Sequence, residues 1–295
     1  MNLMTQPEPV AQYHCECGEG PMWHVEERRL YWVDIPTGRM FRYEPATSKH
    51  EQVYHDRPIG GYTLQQDGSL LLFRDKGNVA LWRGGKVVQT VLPDIPEARE
   101  TRFNDVAADP AGRVFCGTMP SHDKTTNTKT LGKLYRLDPD RSLHTLLDGV
   151  GCSNGIGYTK DLRRMFYIDT PTGEVSVFDY AGSTGAITNR RTFAKITRGF
   201  ADGMTVDADD GVWVALWGGG AVLRFNPAGE LTHTLEVPAK NVTSVMFGGD
   251  DLQDLYITTA IGGEKNADPA TAGALFRCRP GFQGKLEFRS RVRVQ

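Results

Sequence analysis

No apolar run in this chain of 295 residues approaches the roughly 20 residues that a bilayer-spanning helix needs, so no such helix and no membrane partner is expected. The start is equally poor in targeting signals. Residues 1–10 are polar and contain Pro7 and Pro9, with no charged region leading into an apolar core. A secretory leader is therefore not indicated, and a cytoplasmic protein is expected. Excess charge of either sign is missing too: 34 Lys and Arg stand against 36 Asp and Glu, and the basic residues are scattered. That balance gives no ground for nucleic acid or an anionic surface as partner. Cysteine is sparse. Five residues (Cys15, Cys17, Cys116, Cys152, Cys278) make an odd number with no framework spacing, which reads as reduced thiols in a reducing compartment. Cys15-Glu16-Cys17 has no second pair to complete a zinc or redox site. Long amphipathic helical periods are also lacking.

Short alternating or fully apolar runs, separated by Gly, Asp, Asn and Pro, are what the chain does contain, and they read as β-strands. Six copies of one pattern can be superposed: a small apolar strand, a charged or Asp/Gly turn, a richer apolar strand, a polar turn, and a strand ending in Arg or an aromatic. The copies begin near Gly20, Gly60, Asn104, Asn154, Asp202 and Val242. Two of them carry polar insertions, at 121–130 and 262–271. A period of roughly 40–50 residues is that of four-stranded propeller blades. The expected fold is all-β, a six-bladed β-propeller, as a single domain over residues 1–295. The leftover segment 9–14 would add a strand to the last blade and so close the ring, which otherwise keeps two unpaired edges.

In a propeller the first strand of each blade lines the axis, so residues at the mouths of those strands meet there. Glu19, Asn104, Asn154 and Asp202 all hold that place. Blades two and six carry no carboxylate there. Two carboxylates and two amides form an all-oxygen set suited to one divalent cation, Ca²⁺ or Mg²⁺ first, with Mn²⁺ or Zn²⁺ possible. The competing reading is local: an Asx residue before Gly is commonly a turn former bonded to its own backbone.

Gly18-Glu19-Gly20-Pro21-Met22-Trp23, Leu30-Tyr31-Trp32-Val33-Asp34-Ile35, Arg102-Phe103-Asn104-Asp105, Gly117-Thr118-Met119, Ser153-Asn154-Gly155, Ala201-Asp202-Gly203 and Trp213-Val214-Ala215 occur in this order. On these motifs, and over nearly its whole length, the chain resembles the regucalcin / gluconolactonase / luciferin-regenerating-enzyme family. The resemblance implies a six-bladed propeller with one divalent metal on its axis, and hydrolysis of a small-molecule sugar lactone. It implies Glu19, Asn154 and Asp202 as metal ligands, Asn104 beside them, and Arg102 on the substrate. Several family members carry an acidic residue shortly after Gly-Thr-Met that grips a sugar hydroxyl; here Met119-Pro120-Ser121-His122-Asp123 contains no Glu.

Asp202 is the expected general base as well as a ligand. His122, with Asp123, would overhang the mouth and touch substrate, a solvated loop being the other reading. Cys152 is read as packing, and Trp217 with Gly218-Gly219-Gly220 as either mouth or hairpin turn. Two alternatives stand beside the lactonase: a phosphotriesterase-like metal hydrolase, and a non-enzymatic calcium-binding propeller. Neither the particular lactone, nor the metal, nor the oligomeric state follows from the sequence.

Overall fold

A strand buried at every position, such as Leu70–Arg74, has no solvent face and must be covered by packing on both sides. In the computed structural model, which describes residues 6–121, 131–263, 268 and 270–294, such strands form six antiparallel four-stranded sheets. Strand β1 (Glu8–Gln12) precedes the first blade, which is β2 (Gly18–His24), β3 (Arg29–Asp34), β4 (Arg39–Glu44) and β5 (Lys49–His55). The second is β6 (Ile59–Leu64), β7 (Leu70–Arg74), β8 (Val79–Arg83) and β9 (Lys86–Leu92). The third is β10 (Thr101–Ala108), β11 (Val114–Pro120), β12 (Gly132–Leu137) and β13 (Leu143–Val150). The fourth is β14 (Ser153–Tyr158), β15 (Arg164–Asp169), β16 (Glu174–Ala181) and β17 (Ala186–Lys195). The fifth is β18 (Phe200–Val206), β19 (Val212–Trp217), β20 (Ala221–Phe225) and β21 (Leu231–Glu236). The sixth combines β22 (Asn241–Gly248), β23 (Asp254–Ala260) and β24 (Ala274–Cys278) with β1, which pairs antiparallel with β24.

The inner strands β2, β6, β10, β14, β18 and β22 each contact the next, and β22 returns to β2. The fold is a six-bladed β-propeller. Its core is divided into six apolar clusters, one between each pair of neighbouring blades. Among the described residues no helix is long and apolar enough to cross a membrane.

Near the axis the blades crowd together, and glycine makes room. A Cβ at Gly60 would stand 1.9 Å from the carbonyl oxygen of Phe103, and one at Gly203 would stand 2.2 Å from Ser244 Oγ. Every inner pair also carries a β-bulge near its mouth, as at Glu19/Met22, Asn154/Ile156 and Ala201/Met204. A bulge re-aims the side chain beside it, and here it turns the mouth residues toward the hub.

Two features lie outside the sequence pattern. The fourth strand of each of the first five blades is the least buried of its sheet, as in β17 and β21. Its outer face meets water, so its apolar residues are broken up by polar ones. The segment 279–294 crosses the face opposite the mouths. Ser290 N donates to Leu64 O (2.9 Å), Arg291 N to Gly112 O (2.9 Å) and Arg293 N to Pro139 O (2.8 Å), all at the far ends of the blades.

Buried carboxylates knit the blades internally. Asp207, fully buried, accepts from Trp213 Nε1 (2.9 Å), Arg224 Nε (2.8 Å) and the Gly211 amide (2.7 Å). Removing such an acid strands a buried guanidinium and an indole N–H. Asp207→Ala should lower unfolding stability by about 3–5 kcal/mol, read as a shift of the urea midpoint. An unchanged midpoint would show that this network contributes nothing net.

Candidate active site

At the mouth end of the axis a cavity of about 410 Å³ is lined by Glu19, Arg102, Asn104, Asn154 and Asp202, together with Cys17, Met119, Cys152, Thr170, Pro171, Phe200 and Trp217. The structure thus brings five of the six site residues expected from sequence to one cavity. The sixth, His122, lies outside the described residues, as does Asp123.

The turn reading of the Asx-Gly pairs does not hold. Asn154-Gly155 and Asp202-Gly203 lie inside β14 and β18. Neither glycine has a positive φ among those that do, and each is required instead by the close approach of the next inner strand. The asparagine side chains bond across blades. Arg102 Nη1 donates to Asn104 Oδ1 (2.6 Å), and Asn104 Nδ2 donates to Asn154 Oδ1 (2.7 Å) and to Ser153 O (2.8 Å). Asn154 Nδ2 donates in turn to Thr170 Oγ1 (2.7 Å), whose hydroxyl donates to Ala201 O (2.8 Å). This relay runs from the third blade to the fifth and orients both amides.

The acids are treated differently. Glu19 is 2 % exposed and accepts only the Gly20 amide (3.0 Å) among the described residues; Asp202 is 7 % exposed and accepts none. Burial pushes the Glu19 carboxyl well above the usual carboxylate range, and the charges of Asp202 and Asp105 push it further. Asp202 is also pushed well up, by burial first and then by Asp105, with Arg102 acting in the opposite direction. Asp105 lies below them, lining the axial channel, and burial raises it from 3.8 to about 7.

These residues fit a divalent cation on the chemistry of the donors. Two hard, desolvated oxygens repel one another, and an oriented amide stands beside them. Arg102 is the cation that opposes that repulsion, and its Nε is itself buried without a partner among the described residues. No group of three His, Cys, Asp or Glu capable of holding a metal occurs among the described residues; beside the two acids, the amide oxygens of Asn154 and Asn104 are further side-chain donors lining the cavity. Such an open set leaves positions for water and substrate.

Several cavity residues were not marked out by sequence reasoning. Thr170 gave no signal, because its role depends on a contact to Asn154 made only in the fold. Cys152 was read as packing, yet it stands in the cavity wall with its Sγ 3.6 Å from Met119 Sδ. Trp217 lines the cavity, and the glycines after it turn the chain, with Gly218 and Gly220 at φ 70° and 63°. Both readings of that stretch therefore apply. All five cysteines are free thiols.

A closed six-bladed ring with unneutralised acids and interlocked amides at one end of its axis belongs to the propellers that work at their hub. The chain is a member of the SMP-30/Gluconolactonase/LRE-like region family, whose model matches residues 17–261. It is 45 % identical over 295 residues to the pentonolactonase XacC of Haloferax volcanii, covering 97 % of this chain and 98 % of that protein. It is 34 % identical over 258 residues to the regucalcin of Homo sapiens, covering 86 % of each. Among solved structures, a luciferin-regenerating enzyme superposes with a TM-score of 0.88 at 26 % identity, covering 97 % of this chain and 100 % of that one. A regucalcin of Agrobacterium tumefaciens, described as a calcium-binding protein, gives 0.89 at 21 % identity with 98 % of each chain covered.

Because folding raises the pKa values of these acids, the folded state holds more protons than the unfolded chain between the two values. Stability then falls as pH rises through that window. For Asp105 the window runs from 3.8 to about 7. Chelator-treated protein should lose resistance to urea across it, and Asp202→Asn should recover about 0.5–2 kcal/mol at pH 8 by relieving the repulsion. A chelated Asp202→Asn protein no more stable than wild type there would show that the acids are not in conflict.

Proposed function

We propose that the protein is a divalent-metal-dependent lactonase that opens a small sugar lactone, with Glu19, Asn154 and Asp202 as metal ligands. The observation that carries this reading is the meeting of two buried acids and an oriented amide in one cavity with Arg102. Its biological support is the 45 % identity, over nearly the whole length of both chains, to a pentonolactonase. The donors are oxygens, which favours Ca²⁺ or Mg²⁺ and admits Mn²⁺ or Zn²⁺. When bound, the cation supplies Lewis acidity toward the lactone carbonyl and a more acidic water.

The chain's own residues divide the remaining work. Glu19 holds fixed negative charge at the floor of the cavity. Asp202 takes the proton of the attacking water and returns it to the ring oxygen as the C–O bond breaks, leaving a hydroxy acid. Arg102, whose Nη1 is engaged with Asn104 and the Phe103 carbonyl (3.0 Å), directs its other N–H groups to the ring oxygen or a hydroxyl. Asn104 is spent mainly on orienting Asn154, and only its oxygen remains available to a hydroxyl donor. Met119, Pro171 and Trp217 give the cavity a largely apolar wall, which limits water around the floor and strengthens each of these interactions.

That apolar wall is the one feature favouring a second reading, hydrolysis of an aryl phosphotriester at the same floor. The test is a pH-indicator assay over sugar lactones and an aryl phosphotriester, using chelated protein with Ca²⁺, Mg²⁺, Mn²⁺ or Zn²⁺ added back. Lactone opening should vanish on chelation, return with one of the cations, and fall on the order of 10²–10⁴-fold in kcat for Asp202→Ala. Arg102→Ala should chiefly raise KM. Lactone opening that survives both chelation and Asp202→Ala removes the mechanism.

A further inference from the structure

Residues two apart in a strand point to the same side, so the place two before each mouth residue stands one step nearer the opening. Arg102 and Phe200 hold that place inside β10 and β18, before Asn104 and Asp202, and Cys17 and Cys152, one residue ahead of β2 and β14, hold it before Glu19 and Asn154; all eight side chains line the cavity. The repeat therefore builds two tiers. The lower one is acid and amide; the upper one is a single cation, two thiols and a phenyl ring. The upper tier thus has one polar side, at Arg102 in the third blade, and an apolar side, at Phe200 in the fifth.

Phe200 is the most exposed large apolar side chain among the described residues, at 59 %. Its cross-strand neighbour is Trp217, whose indole reaches Gly262, where an added Cβ would come within 2.7 Å of the ring. A lone exposed apolar residue on an open surface needs no special account. One that lines a cavity floored by two buried acids, with a tryptophan as its cross-strand neighbour, does, because it presents apolar surface to whatever enters.

We infer that Phe200 is a specificity-determining residue of this site. It stacks on the C–H face of the lactone ring, Trp217 backs it, and the polar edge of the ring is turned toward Arg102. The ligand class is a five- or six-membered lactone with one face free of hydroxyl groups. This inference rests on the lactonase reading and adds what selects among lactones.

The experiment compares wild type with Phe200→Ala, Phe200→Leu and Phe200→Trp on whichever lactone wild type opens best. Calorimetric titration with the ring-matched lactam, which is not opened, gives a readout independent of turnover. The alanine and leucine variants should raise KM, and the Kd of the lactam, roughly three- to tenfold while kcat holds; the tryptophan variant should restore both constants. Alanine with the wild-type KM overturns the inference, as does leucine behaving like wild type, since an apolar bulk without a ring would then suffice. A loss confined to kcat overturns it too. If wild type opens no lactone, the lactonase reading itself falls; if it does and Phe200→Ala is silent, only the role of Phe200 falls.

Discussion

Two carboxylates held out of water with too little positive charge nearby is the condition on which the rest of this molecule turns. Left free, Glu19 and Asp202 would move apart or into solvent, because desolvation and mutual repulsion act on both. The ring prevents this. Each acid sits beside a bulge in an inner strand, each inner strand is wedged between two others, and each wedge is filled by an apolar cluster of its own. The cost of the site is therefore spread over interblade packing rather than borne by the few residues that touch it.

Blades that give no acid to the hub have another task at the equivalent place. The second blade offers Gly60 and Gly61, which let the backbone of the third approach. The sixth offers Thr243, which donates to Gly18 O at 2.5 Å and so pins the strand carrying Glu19. Between these, the relay from Arg102 through Asn104, Asn154 and Thr170 to the Ala201 carbonyl joins the third, fourth and fifth blades. Amide orientation and ring geometry are consequently one problem. A residue that shifts a blade shifts an oxygen donor with it.

The six repeats were legible because inner and middle strands are buried on both faces and so leave dense apolar runs at even spacing. Glu19, Asn104, Asn154 and Asp202 were legible as one set because they recur at one place in the repeat. The glycines beside Asn154 and Asp202 left a local turn open as the competing reading; strand crowding, visible only in the fold, is what requires them. The outer strands were not read because a solvated face selects polar residues. Thr170 was beyond sequence reasoning because its significance is a contact between elements. Phe200 was overlooked although it stands two residues before Asp202, as Arg102 stands two before Asn104 and Cys152 two before Asn154. The segment 279–294 gave no repeat to recognise, since it crosses the repeats rather than joining them.

The asymmetry of the hub follows from its charge. A third acid in the upper tier would complete a closed ligand set, but it would also deepen the repulsion that burial already amplifies and would fill the space a substrate needs. A cation in every blade would neutralise the acids outright and remove the demand for a metal. One arginine, placed above an amide and across from an aromatic ring, does neither. It tempers the acids, leaving them short of a counter-ion, and it gives the opening a polar side and an apolar side. The shortage of charge at the floor and the unevenness of the wall are then two aspects of one arrangement, in which, on the proposed reading, the floor would take an ion and the wall a small ring with unlike faces.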